Sequence, residues 1–163
     1  MAIRPRRSVE DLPGDNERAI EESKGLAADS LILDLEDSVA PDNKSKARDQ
    51  ACEAVRGGGF GPREMILRVN ALETPWGMSD LHAAIAAEPD AILVPKVSQP
   101  GDIISTSKVL RAAGAADKIR LWAMIETPMG IINSREIAAC GADPESRLSC
   151  LVLGTNDLLK ESR

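Results

Sequence analysis

Leu121-Trp122-Ala123-Met124-Ile125-Glu126-Thr127-Pro128-Met129-Gly130 is the stretch whose reading decides the fold. Five apolar residues stop at a carboxylate, Glu126, and Thr-Pro turns the chain at once. A buried strand that delivers a polar side chain at its carboxyl end is how α/β proteins present chemistry. Four more runs follow the same pattern. "SLILDLEDSV" ends on Asp34, Glu36 and Asp37, "EMILRVN" on Arg68 and Asn70, "AILVPKV" on Lys96, and "CLVLGTND" on Asp157.

The starting residues Leu31, Met65, Ala91, Leu121 and Leu151 are spaced by 34, 26, 30 and 30 residues. A period of roughly 30 residues fits a parallel strand plus a crossover helix. Two architectures share that period, an open doubly wound sheet and part of a (β/α)8 barrel. Length favours the open sheet, because eight units need about 200 residues or more and the chain has 163. Neither a G-x-G-x-x-G turn nor a Walker-type loop follows any of the strands, which removes the usual nucleotide signatures of the open sheet. Periodicity alone leaves both open.

Composition narrows the function. With 43% apolar and 28% charged residues, the chain has the balance of a folded domain. A net charge of −6 and only Phe60, Trp76 and Trp122 as aromatics argue against a nucleic-acid surface. Cys52, Cys140 and Cys150 are scattered in apolar contexts and read as core residues, not as a disulfide or zinc framework. A single histidine, His82, excludes a two-histidine metal site and reads as a structural or surface residue. No apolar run reaches the roughly 18 residues of a membrane span. Arg4, Arg6 and Arg7 precede no signal-peptide core, so the expected location is cytoplasmic.

In chain order, "RRSVEDL" reads as at best a weak or edge strand, because Glu10 and Asp11 fall where apolar residues belong. Pro13 to Asn16 make a turn and a helix cap, and that helix runs to about Gly25. A helix opened by Pro41-Asp42 carries Ala47, Ala51, Cys52 and Val55 inward and stops at Gly57-Gly58-Gly59. These glycines follow a helix, whereas phosphate loops follow a strand, so they read as a helix stop. Ser79 and Ser98 are the expected caps of the next two helices, and Ile131–Cys140 is expected as one helix ending at Gly141.

Six motifs, "LPGDNERAI", "LILDLEDSVAPDNKSKAR", "RVNALETPWGMSDL", "ILVPKVSQPGDI", "MIETPMGI" and "LVLGTNDLLKE", resemble in order and spacing the citrate lyase β-subunit-like proteins of the HpcH/HpaI aldolase superfamily, which includes malyl-CoA lyases. The resemblance runs from about Pro13 to Glu161. It implies a TIM (β/α)8-type barrel, here incomplete with about six of its eight β/α units. It also implies a bound Mg²⁺, with Mn²⁺ as substitute, and reversible Claisen-type cleavage of a 3-hydroxyacyl-CoA into acetyl-CoA and an oxo acid. Carried over by position, Glu126 and Asp157 match the metal ligands, and Arg68 matches the substrate-contacting arginine. Glu126 and Arg68 are then the catalytic candidates. Glu36, Asp37 and Lys96 stand behind them as residues that hold arginine, water or substrate.

The chemistry is coherent. Mg²⁺ takes one or two carboxylates plus water and substrate oxygens, and Arg68 can steady an oxygen that becomes anionic. Competing roles remain for several residues. Glu126 could cap a helix or form a salt bridge, Asp157 could cap the last helix, and Arg68 could pair with Glu36 or Asp37. The N-terminal arginines read as a solvated tail or as contacts to coenzyme A phosphates.

Two departures stand out. The family's first strand is apolar, and strands seven and eight have no counterpart in these 163 residues. In lyases of this type the C-terminal segment is associated with a lid and with an aspartate acting on a neighbouring subunit's thioester. The general base is therefore expected in that segment, and a homo-oligomer is expected for a full-length form. Open strand edges predict low stability and little activity for the isolated chain. The alternatives are an inactive relic that binds metal or a partner chain, a pyruvate-type aldolase acting on free acids, and an open-sheet binding module.

Overall fold

The computed structural model describes residues 4–162. Six parallel strands, β1 (Val9–Pro13), β2 (Ser30–Asp34), β3 (Glu64–Arg68), β4 (Ala91–Val94), β5 (Arg120–Ile125) and β6 (Leu148–Leu153), form one sheet in the order of the chain. Between and after them lie α1 (Glu17–Ser23), α2 (Lys44–Gly57), α3 (Gly77–Ala87), α4 (Pro100–Ala112), α5 (Pro128–Ile132), α6 (Ser134–Ala139) and α7 (Thr155–Glu161). A doubly wound sheet reverses its strand order at a switch point. Here it never reverses, so right-handed crossovers put every connecting helix on one side. That winding belongs to the (β/α)8 barrel, not to the open sheet that length alone favoured.

The two faces of the sheet differ accordingly. Leu31, Leu33, Leu67, Ile92, Leu121 and Ile125 point outward and pack with Ala47, Ala51, Leu81, Ile103 and Leu110 of the helices. Each such large side chain contributes about 1.5–3 kcal/mol by leaving water. The inner face buries Ile32, Ile66, Ala91, Leu93, Trp122 and Met124, with Cys150 and Val152 packed against them. This cluster contains strand residues only, as the inside of a barrel does.

Strand alternation then fixes the direction of the polar residues. Pairing aligns Asp11 with Ile32, and Asp34 with Arg68. Because side chains alternate faces every residue, Asp11, Asp34 and Arg68 share the inner face, as does Glu126 two residues after Met124. The expectation of a weak or edge strand over "RRSVEDL" is half right. Val9–Pro13 is a regular strand at the sheet edge, paired with β2 over its whole length. Only Leu12 must be apolar, because it alone reaches the helix-side core.

Other boundaries moved for local reasons. α3 starts at Gly77, ahead of Ser79. Gln99, not Ser98, caps α4 through a reciprocal capping box with Asp102. The helix expected over Ile131–Cys140 is two short helices joined at Asn133, whose side chain donates 2.8 Å to the Ser98 carbonyl. The glycines at 57–59 end α2 as expected. Among the described residues no helix is long and apolar enough to cross a membrane.

Candidate functional site: an acidic mouth at the carboxyl ends of the strands

All the polar strand ends meet at one end of the sheet. A cavity of about 560 Å³ there is lined by Asp11, Asp37, Arg68, Glu126, Gly154 and Asp157, among others. Glu36 and Lys96 join through ion pairs at its rim. The structure thus brings together every site residue expected from sequence: Arg68, Glu126, Asp157, Glu36, Asp37 and Lys96.

Glu126 follows β5 directly and precedes Thr127, whose hydroxyl caps α5 by accepting from the Gly130 N–H at 3.0 Å. The cap role thus belongs to Thr127, not Glu126. Glu126 is 2% exposed. Its Oε1 accepts the Lys96 backbone N–H at 2.8 Å, and among the described residues no cationic side chain ion-pairs with it. Burial therefore raises its pKa, only partly offset by that N–H. Gly154 makes the arrangement possible. A Cβ there would stand 2.7 Å from Glu126 Oε2 and 2.8 Å from its Cβ.

Asp157 lies in the first turn of α7, inside the helix and not at its cap. Its Oδ1 accepts from Lys160 at 2.8 Å and its Oδ2 faces Lys96 Nζ at 3.4 Å. The Lys160 bond, with Lys96 in support, holds its pKa below the ordinary carboxylate range.

Arg68 is held by an acid that the sequence named only as a strand end. Asp34, 0% exposed, grips it with two bonds of 2.6 Å, from Nε and from Nη2. Glu36 faces Nη1 at 3.4 Å, while Asp37 makes no ion pair with it. Burial pushes the Asp34 carboxyl up, but Arg68, Ser38 and the Glu36 N–H outweigh it and hold it below its usual value. Of the five N–H donors of Arg68, two serve Asp34 and one faces Glu36, which leaves two for a ligand.

Lys96 ion-pairs with Glu36 at 2.7 Å and lies 3.9 Å from Asp37, whose side chain is half exposed. The ion pair is thus present. Asp11 was missed as a site residue because it looked like a flaw in a strand. It borders the cavity, and desolvation together with nearby Asp34 pushes its pKa up to about 6. Its even spacing from the turn, on the inner parity of β1, was the available signal.

Six carboxylates (Asp11, Asp34, Glu36, Asp37, Glu126 and Asp157) thus face three cationic side chains, Arg68, Lys96 and Lys160. Among the described residues no three His, Cys, Asp or Glu groups converge into a closed metal cage. Two carboxylates on one open cavity suit Mg²⁺, which keeps water and substrate oxygens in its shell. The donor set therefore fits a hard dication. The N-terminal arginines lie at the other end of the sheet. Arg6 pairs with Glu64, Arg7 with Asp29, and Arg4 with Asp90. Arg4 and Arg7 stay exposed, as expected of a solvated tail, but all three are paired, and none lines the mouth.

A parallel β/α sheet of barrel winding, with an acidic mouth around one arginine, defines an α/β protein of the TIM-barrel class. The comparisons specify it further. Residues 7–163 match the HpcH/HpaI aldolase/citrate lyase family, and the chain belongs to it. A (3S)-malyl-CoA thioesterase of Cereibacter sphaeroides is 46% identical over 96% of this chain and 51% of its own length. Citrate lyase subunit beta of Escherichia coli K12 is 35% identical over 98% of this chain and 53% of its own. The crystal structure of protein CitE from Mycobacterium tuberculosis, in complex with magnesium, acetoacetate and coenzyme A, superposes with a TM-score of 0.75 at 28% identity. That match covers 98% of this chain and 53% of the other. The chain spans about half the length of the curated relatives it matches.

Proposed function

We propose that the mouth binds Mg²⁺ or Mn²⁺ through Glu126 and Asp157, with an oxo acid beside Arg68. The reaction is reversible Claisen-type cleavage of a 3-hydroxyacyl-CoA, such as malyl-CoA or citryl-CoA, into acetyl-CoA and an oxo acid. The observation that carries this reading is Glu126. It is a buried carboxylate with no cationic partner among the described residues, directed at the cavity that Asp157 also lines. The magnesium, acetoacetate and coenzyme A bound to the relative's structure support the same ligand classes.

Bound there, the ion supplies Lewis-acid polarisation of a carbonyl oxygen. The chain's own residues do the rest. Arg68, locked by Asp34, offers its free N–H donors to an oxygen that gains negative charge, and its rigidity means no reorganisation at that moment. The Lys96 N–H fixes one Glu126 oxygen, so the other is available to the cavity. Asp34 and Glu36 neutralise Arg68 and keep its guanidinium in one orientation.

A second reading is hydrolysis of the thioester, favoured by the 46% identity to a malyl-CoA thioesterase. One assay separates them. The protein is incubated with malyl-CoA and Mg²⁺, and the products are resolved by chromatography. Cleavage yields acetyl-CoA and a two-carbon oxo acid. Hydrolysis yields free coenzyme A and malate. Turnover of free hydroxy acids without coenzyme A would contradict both and point to a pyruvate-type aldolase.

A further inference from the structure

Lys96 touches Glu126 through its backbone N–H and Glu36 and Asp157 through its ammonium. Its φ of +53° lies in the left-handed region, which costs a non-glycine residue roughly 1 kcal/mol. Glycine would adopt that conformation more readily, so the lysine side chain is kept at a cost. The conformation turns the backbone N–H onto Glu126 at 2.8 Å while the ammonium reaches Glu36 at 2.7 Å and Asp157 at 3.4 Å. Glu36 is the tight anchor and Asp157 the looser partner. Lys160, the other cation on Asp157, has a side chain 75% exposed and can leave for water freely. Lys96 is half as exposed, at 37%, and tethered by Glu36.

We propose that the Lys96 ammonium is a built-in competitor of the divalent cation for Asp157. Metal entry transfers Asp157 from Lys96 to the ion, and Glu36 retains the ammonium. The side chain thus sets the affinity of the site and keeps it weak enough to exchange, while the backbone N–H holds Glu126 in either case. The inference rests on the reading of Glu126 and Asp157 as metal ligands.

The test is titration of the purified full chain with Mn²⁺, followed by electron paramagnetic resonance, at fixed ionic strength. Lys96→Met removes the charge, and Lys96→Gly also relieves the positive φ, so a folded variant is secured. Thermal unfolding verifies folding of each. Both should bind Mn²⁺ more tightly by roughly tenfold, as expected for losing a cation a few ångströms from a dication. Lys96→Arg should return the wild-type affinity. Damage to the site would weaken binding instead, so the sign separates the roles. Equal or weaker binding in folded Lys96→Met or Lys96→Gly overturns the proposal and leaves the metal reading intact. No Mn²⁺ binding by the wild type overturns both.

Discussion

The two ends of the sheet use charge in opposite ways. At the amino ends of the strands, most charges are matched singly, Arg120 being the exception, with a buried Nε that has no partner among the described residues. Arg6 forks onto the buried Glu64 at 2.7 and 2.8 Å and stacks 4.9 Å over Trp122, Arg7 grips Asp29, and Asp90 accepts the Met65 N–H. In the mouth at the carboxyl ends, six carboxylates face Arg68, Lys96 and Lys160, with Lys44 behind them on the Leu35 and Glu36 carbonyls, and the carboxyls of Asp11, Asp37 and Glu126 are pushed up by desolvation. An end that satisfies itself contributes stability. An end left electrostatically short of positive charge is arranged for a ligand that brings it. The division matches the general rule that barrel chemistry sits at the carboxyl face.

The comparison can be broken from either side. The largest effect is expected for Arg68→Met, which strands the fully buried Asp34. Removing one member of a buried pair costs about 3–5 kcal/mol, read by urea unfolding. Less loss than for a surface pair would mean that Arg68 is not the keystone of the mouth. Next is Glu64→Gln at the opposite end. Loss of the Arg6 fork, one partner of which is partly exposed, should cost about 2 kcal/mol while leaving Mn²⁺ affinity unchanged. A shift in affinity would show that the two ends are coupled. Gly154→Ala acts on the mouth itself. Its Cβ would meet Glu126 Oε2 at 2.7 Å and Glu126 Cβ at 2.8 Å, so metal affinity should fall, together with a loss of about 1–3 kcal/mol in unfolding from overpacking.

The smallest effect concerns pH. Asp11 titrates higher in the fold, at about 6, than its ordinary 3.8. Its contribution is thus full below the ordinary value and lost as pH rises through about 6. Asp11→Asn should remove that loss and raise stability at pH 7 by less than about 1 kcal/mol, because solvent screens the group. Asp34 runs the other way. Its lowered pKa gives stability above the ordinary value that disappears on acidification. Equal pH profiles for wild type and Asp11→Asn between pH 4 and 7 would contradict the placement of Asp11.

How far the sequence reveals this division depends on the kind of residue. Ending an apolar run placed Glu126, Arg68 and Asp157 among several polar strand ends, and only their match to the family's motifs singled them out from the others. The strands β2 to β6 were legible from the apolar runs themselves. Asp11 and Asp34 were not assigned to the site, because their meaning lies in strand register, and register follows from pairing with a neighbour, not from local composition. The same blindness made β1 look weak. Asn133 splits a helix that periodicity reads as continuous, because its amide is drawn to the Ser98 carbonyl 35 residues away in sequence. The repeating period left barrel or open sheet undecided, the motif resemblance pointed to the barrel, and the strand order shows it.

The central claim is that Glu126 holds a divalent cation. The direct measurement is isothermal titration of Mg²⁺ and Mn²⁺ into wild type and Glu126→Gln, with thermal unfolding of both in parallel. The account predicts one ion per wild-type chain. In Glu126→Gln it predicts affinity weaker by about a hundredfold and unfolding unchanged or slightly later, since a buried, desolvated carboxylate has been neutralised. Equal affinity in a folded Glu126→Gln protein would contradict it.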